Sequence, residues 1–424
     1  MTPAVLVPAN AGEIASSSPL RSTSVLSDSQ YNAIRTQMVL EGCKWDPQVG
    51  DTEVIARFAL RLTRHDWDCL RSHAEILACE LMEAEAALAA RPELFATLGV
   101  HHQLIPLLQK HAGALVSQRT PRILRFDFHH TCEGWRISEV NSDVPGGFSE
   151  ASILPQHFAP YFPQLQPADD VAALWCDAIA EASQGGHVAL LSATGYMEDQ
   201  QIVQFLHGHL TRRGVLSSVI SPAQLACSHD QLQQCGPTGS TAIKLLVRFY
   251  QAEWLPQLPR QSNWRNMFSP SHTIVVNSLT SVLTESKRFP LVWDKLGVRV
   301  PRWRELLPDT RETRDAPWQM DDTWLLKAAY SNTGDHVVSL PHLDPLAQKR
   351  YITCVRRNPQ QWVAQKRFKV LPVASPQGEV FPCIGVYVLN GKAAGIYGRA
   401  SSSPVINYSS QDVAVLIENE SSTL

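Results

Sequence analysis

Apolar residues recur at alternating steps of three and four along one stretch: Trp67, Leu70, Ala74, Leu77, Leu81, Ala84 and Leu88. That spacing lines one face of a helix. Thr63, with Asp66 three positions on, reads as its start, a partial capping box, and Pro92 ends the pattern. The stripe is read as a core-facing surface, because a coiled coil would need more heptads. The whole of 52–118 is expected to be helical. The period then changes to two. Leu124–Phe128 and Arg136–Asn141 alternate apolar and polar residues, as paired strands joined by a turn near Glu133 do. Farther on, Val188–Leu191 is an apolar run that reads as a buried strand, followed by a polar loop, a helix from about Asp199 to Arg213 and a second strand at Val215–Ile220. This is a β-loop-α-β unit, the element of an open α/β sheet. Residues 242–250, "AIKLLVRFY", read as another strand. The last third holds strand-like runs at 323–330, 361–368, 381–390 and 392–401, and Asn390–Gly391 between the last two is a hairpin-turn signal.

These patterns make the class α/β (α+β), with a β-loop-α-β unit in the middle and an antiparallel, β-rich last third. Four stretches are expected: a poorly ordered Ser/Ala/Pro-rich tail at 1–28, a helical part plus the hairpin at 29–186, an open α/β unit at 187–270 and the β-rich remainder at 271–424. With 424 residues, 44% of them apolar, the chain can bury a sizeable core. The 37 basic and 40 acidic side chains are mixed along it, giving a net charge of −3 and no basic stripe for nucleic acid or an anionic membrane. No run of about eighteen apolar residues suggests a membrane span, and the N-terminus does not read as a signal peptide. Nine cysteines without a CxxC pair suit reduced thiols, and the cytoplasm is the expected compartment. With no HExxH or paired CxxC, zinc is not expected. The pairs His101–His102 and His129–His130 are read as structural or surface residues.

The chemistry concentrates in the hairpin. The register implied by the turn sets Asp127 opposite Glu139 and Arg125 opposite Asn141, with Ile137 on the same face as Glu139 and Asn141. Carboxylates directly across a sheet repel one another. Arg125 offsets one of them. A divalent cation would satisfy both together with the Asn carbonyl, and this hard-oxygen donor set favours Mg²⁺ or Mn²⁺. Arg125 would then be free to grip a phosphoryl oxygen. A surface hairpin with ordinary charges fits the same spacing, and both readings stand at this point. Gly146–Gly147 lets backbone come close to a ligand. Ser149 or Ser152 is placed to cap the following helix.

The segment resembles the metal-binding stretch of the glutathionylspermidine synthase-like ATP-grasp ligases, "RFDF" followed by E-x-N-x-D. Further segments resemble that family in the same order: "GYMED" (195–199), "RFYQAEWL" (248–255), "ESKRFPLVWDKL" (285–296) and "WLLKAAYSNTGDHVV" (324–338). The resemblance spans roughly 120–415. It implies an ATP-grasp fold with an associated Rossmann-like pre-ATP-grasp domain over 187–270, in a circularly permuted order with metal ligands ahead of the nucleotide lysines. On that resemblance Asp127, Glu139 and Asn141 ligate the metal. Arg125 and Arg399 are the catalytic arginines. Lys287, Lys327, Ser331, Gly334 and Gln365 surround ATP, and Ser149, Glu198 and Asp199 face the substrate. Lys327 also reads as a strand-edge lysine, Lys287 as a solvated helix end, and Glu198–Asp199 as an acidic helix start.

The implied reaction joins a small-molecule carboxylate to an amine through an acyl phosphate, with ATP and Mg²⁺ or Mn²⁺. Subunit pairing into a homodimer is common in such folds, though no segment identifies an interface. Two departures stand out. The phosphate loop "SNTGD" has one Gly and lacks the family's Gly-Arg-x-Gly pattern. Carboxylates for a polyamine are few (Glu198, Asp199 and Glu253), so spermidine is not the expected amine. No counterpart of the amidase domain of bifunctional members is expected. The alternative is a catalytically inactive nucleotide-binding scaffold that kept the fold.

Overall fold

In the computed structural model, residues 19–49, 52–111, 120–237, 239–262, 264–268, 272–331 and 336–419 are described. The centre is a nine-stranded sheet. Its main path runs Leu20–Ser22, Ile55–Leu62, Gln411–Glu418, Lys392–Ser401, Gly378–Leu389, Ile123–Thr131 and Gly134–Asn141. Neighbours are antiparallel except Gln411–Glu418 against Ile55–Leu62. The turn between the two longest strands has Asn390 and Gly391 at φ 50° and 82°, the pair of positive φ values a tight hairpin turn needs.

The sheet is buried on both faces, and alternate residues go to different cores. Phe58, Leu60, Phe126, Phe128, Val386 and Val415 pack on one side with Trp67, Leu70, Leu77 and Leu81 of the long helix Arg64–Ala89. Ile55, Ala59, Ile123, Tyr387 and Leu416 pack on the other with the helices Phe148–Phe158, Val171–Ser183 and Met197–Arg212. The helix stripe from Trp67 to Leu88 is buried as expected, and Thr63 caps its start by accepting from the Asp66 N–H.

Three expectations are corrected. Residues 55–62 form a strand, not helix: "IARFALRL" is apolar on both faces, so it shows no clean alternation. The tail expectation for 1–28 lies outside the described residues up to 18, but Leu20–Ser22 is a paired strand and Leu20 is buried. Neither Ser149 nor Ser152 caps the helix Phe148–Phe158. Gly147, in the left-handed region, stands at that position. The Ser149 hydroxyl donates to Glu150, and the Ser152 hydroxyl accepts from the Ala172 N–H.

A four-stranded parallel sheet stands beside the second core, in the order Ile274–Val276, Leu245–Phe249, Val188–Ser192, Ser217–Ile220. The helix Met197–Arg212 connects its last two strands, completing the β-loop-α-β unit. A smaller antiparallel sheet of Thr310–Arg311, Trp362–Lys366, Trp324–Ala328 and Val337–Val338 has its own core around Trp318, Trp324 and Leu326. Among the described residues, no helix is long and apolar enough to cross a membrane.

Buried polar groups fasten the open end of the hairpin. Arg122 donates to Glu85 of the long helix at 2.8 Å and to the Ser142 hydroxyl at 2.6 Å. The Asn277 amide donates to the carbonyls of Ile123, Ser142 and Asp143 at 2.8–3.1 Å. Asp143 forms a two-point ion pair with Arg248 of the parallel sheet, and both side chains are 0% exposed. Asp143 also accepts from the Ala252 N–H at 2.8 Å and from the Ser281 hydroxyl. Replacing Asp143 by Asn leaves the Arg248 guanidinium without a counter-charge in a dry site. Unfolding free energy is expected to fall by about 3–5 kcal/mol, read from the shift of the urea midpoint at constant slope.

Candidate functional site

A cavity of about 480 Å³ opens between the nine-stranded sheet, the parallel sheet and the small sheet. Its floor is the polar face of the hairpin. Arg125 pairs with Asn141 and Asp127 with Glu139, the register the alternation implies. The sequence-based placement of Ile137 is corrected. A bulge at Ser138 inserts one residue, so Ile137 faces Phe128 and is fully buried, while Glu139 stays in the cleft. The bulge resolves the conflict of an apolar residue in phase with two polar ones.

On that floor each carboxylate already has a cation. Arg125 Nε donates to Asp127 Oδ1 at 2.7 Å and its Nη2 to Oδ2 at 3.0 Å, while Nη1 reaches the Gly146 carbonyl at 2.8 Å. Asn141 Nδ2 donates to Asp127 Oδ2 at 3.1 Å. Glu139 lies 3.0 Å from Lys287 Nζ, which also donates to the Ser331 carbonyl at 2.8 Å. Repulsion between Asp127 and Glu139 is therefore offset without a metal. Gly385, opposite Asp127, makes room for this arrangement: a Cβ there would stand 2.8 Å from Arg125 Cδ.

The small sheet supplies the wall. Lys327 Nζ donates to Gln365 Oε1 at 2.6 Å and to the Ser138 carbonyl at 3.3 Å, and the Gln365 amide donates to Thr310 at 3.0 Å. Burial pushes Lys327 down to about 8, with Lys287 adding to that and Glu139 opposing it. Burial alone would raise Glu139, but Lys287 and Lys327 outweigh it and hold its carboxyl below the ordinary value. Burial likewise takes His129, beside Ser138, down to about 4. Arg399 lies across from Cys383. Its Nη2 donates to the Asn407 carbonyl at 2.9 Å, and its buried Nε has no partner.

The far end of the cleft carries the remaining predicted residues. Ser149 lines it. Glu198 is exposed at the rim, 3.2 Å from the Tyr196 hydroxyl. Asp199 is 4% exposed, its Oδ2 has no partner, and burial, with Glu198 adding to it, raises its carboxyl to about 7. Glu253 is not among the lining residues; burial and neighbouring carboxylates raise it to about 8. Ser331 also lies off the lining, with its hydroxyl buried and unpartnered. Gly334 lies outside the described residues. Lys44, Glu150, Tyr397 and Asp412 line the cleft and were not found by sequence reasoning. They come from segments far apart in the chain, and no local pattern marks them.

The donors fit a hard divalent cation. Among the described residues, no three His, Cys, Asp or Glu side chains cluster as a metal site. Asp127, Glu139 and the Asn141 amide present two carboxylates and one carbonyl to the cleft, and Mg²⁺ commonly takes few protein ligands and completes its shell with water and phosphate.

The glutathionylspermidine synthase preATP-grasp family model matches residues 29–418. The chain belongs to that family. The match is wider than the stretch from 120 to 415 that carries the motifs. Among solved structures, a glutathione synthetase-like effector from Globodera pallida, in its apo form, aligns with 91% of this chain and 96% of its own, at TM-score 0.62 and 10% identity. That likeness concerns fold alone; together with the family match it makes the mixed α/β architecture ATP-grasp-like. A candidate gamma-glutamylcysteine synthetase from Methylobacillus flagellatus KT aligns with 77% of this chain and 88% of its own at TM-score 0.44 and 11% identity, too loosely to support more. No curated protein matches the sequence.

Within this family member, the Lys327 ammonium is expected to titrate near pH 8 in NMR of ¹⁵N-labelled lysine. Glu139 raises that value, so Glu139→Gln is expected to move the midpoint lower still.

Proposed function

We propose that the chain is an ATP-dependent carboxylate–amine ligase that works through an acyl phosphate. The observation that carries this reading is convergence. Arg125, Asp127, Glu139 and Asn141 from one hairpin, Lys327 and Gln365 from the small sheet, and Arg399 from a third segment all line one cleft, and Lys287, off the lining, pairs with Glu139. Lys327 reaches neutral oxygens of Ser138 and Gln365 and Arg399 a carbonyl, so one buried cation and one half-buried cation face the cleft without a carboxylate in their hydrogen bonds. A triphosphate is the ligand that such charges suit.

Asp127, Glu139 and Asn141 would hold Mg²⁺ or Mn²⁺, which neutralises charge on phosphoryl oxygens when bound. Lys287 and Lys327 neutralise the inner phosphates, and Gln365 flanks the nucleotide; Ser331, off the lining, acts through its carbonyl, which holds Lys287. Arg125 and Arg399 stabilise the γ-phosphoryl group as it passes to the substrate carboxylate, releasing ADP. The amine then attacks the acyl carbonyl and phosphate leaves. The attacking nitrogen must lose a proton, and Asp199 Oδ2, half ionised near pH 7, is suited to accept it. Positioning and charge do this work, and no nucleophilic side chain is required. The substrates are read as a small carboxylic acid and a small amine.

Incubation with ATP, Mg²⁺, candidate acids and hydroxylamine is expected to release ADP and give a hydroxamate. ADP release without hydroxamate would point to a phosphotransferase, and neither product to a nucleotide-binding scaffold. Asp127→Ala, Glu139→Ala and Arg399→Ala are each expected to lower turnover by about 10²–10³-fold; full activity in both carboxylate variants sinks the assignment. Lys327 is charged below about pH 8 and neutral above it. Nucleotide affinity is therefore expected to weaken as pH rises through that value, in calorimetric titrations, and Lys327→Arg is expected to flatten the dependence.

A further inference from the structure

Lys44 comes from the segment after the helix Asp28–Leu40, and its side chain is 12% exposed. Its ammonium donates to Glu150 Oε1 at 2.6 Å and to Asp412 Oδ2 at 3.0 Å. The Tyr397 hydroxyl donates to Asp412 Oδ1 at 2.7 Å and the Ser149 hydroxyl to Glu150 Oε2 at 2.9 Å. All four oxygens of two buried carboxylates are thus taken, and all five residues line the cleft. Without Lys44 the pair would be a ready site for an ammonium group. Asp199 is different. Among the described lining residues, its Oδ2 is the one buried carboxylate oxygen without a hydrogen-bond partner. The two places are tied together: Gln201, two residues beyond Asp199, donates to Asp46, two beyond Lys44, at 2.6 Å. Apolar side chains of Val54, Val144, Ile202 and Phe249 complete this end of the cleft.

We propose that Lys44 sets the amine specificity of the cleft: its ammonium fills the Glu150–Asp412 subsite from within, so the acceptor is an amine with one positive nitrogen, held at Asp199, rather than a polyamine. A second substrate ammonium would have to displace a tethered cation held by two carboxylates, or lie beside it at like charge. The name of the substrate as acceptor rests on the ligase reading; the binding preference does not.

The test is binding to the full chain, without nucleotide, at matched ionic strength. Lys44→Ala removes the equivalent of n-propylamine. Calorimetry and thermal melting are expected to show saturable binding of n-propylammonium to Lys44→Ala and none at that subsite in the wild type. Spermidine is expected to bind Lys44→Ala at least about tenfold more tightly than the wild type. A folded Lys44→Ala protein that ignores both amines overturns the proposal, as does wild-type protein that binds spermidine as tightly as the variant. If the single variant does not fold, Lys44→Ala with Glu150→Gln relieves one uncompensated charge and is expected to show the same direction more weakly. The wild type decides independently of any variant: spermidine at least about tenfold tighter than n-propylammonium overturns the proposal, and no such preference supports it. Gain of amine binding supports the Lys44 assignment even if hydroxylamine traps nothing, a result that would bear on the ligase reading alone.

Discussion

The fully buried ion pair between Asp143 and Arg248 fixes the frame in which the cleft exists. Asp143 follows the polar hairpin by two residues, and Arg248 sits in the parallel sheet. Neither charge is tolerable in a dry interior without the other and without further hydrogen bonds. Ala252 and Ser281 supply those to the carboxylate, and the Tyr250 and Asn277 carbonyls to the guanidinium. With the Arg122–Glu85 pair at the other strand's start, the hairpin is clamped at its open end to the long helix on one side and the parallel sheet on the other. The polar floor of the cleft is therefore held by its surroundings rather than by its own turn.

Within that frame the cleft is electrically self-compensated. Arg125 answers Asp127, Lys287 answers Glu139, and Lys44 answers Glu150 and Asp412. On the proposed ligase reading a nucleotide would exchange partners there, taking cations from carboxylates that would in turn hold the metal. Each exchange starts from a satisfied state, so the net gain depends on small differences between large terms. Lys327 and Arg399 break the symmetry, because their partners are neutral oxygens.

The hairpin was legible because its two faces meet different surroundings, core on one and cleft on the other, and alternation records that difference. Its pairing of Arg125 with Asn141 and Asp127 with Glu139 followed from the period together with a turn placed near Glu133. The bulge at Ser138 did not, since only the packing of Ile137 against Phe128 demands it. Residues 55–62 escaped for the opposite reason: a strand covered on both faces has no polar phase to read, and the long helix beside it supplied a misleading period. The helix stripe and the β-loop-α-β unit were local and readable. The Lys44 cluster was not, because Lys44 and Asp412 lie 368 positions apart and meet only through the fold.

The strand Ile123–Thr131 serves two masters at every second residue. Shifting it by one position would turn Phe126 and Phe128 into the cleft and Arg125 and Asp127 into the core. It cannot be retuned by degrees. The rim is freer: Tyr196 and Tyr408 line the cleft there, are exposed and belong to neither core of the sheet. A laboratory library seeking new substrates should leave the floor untouched and randomise that edge.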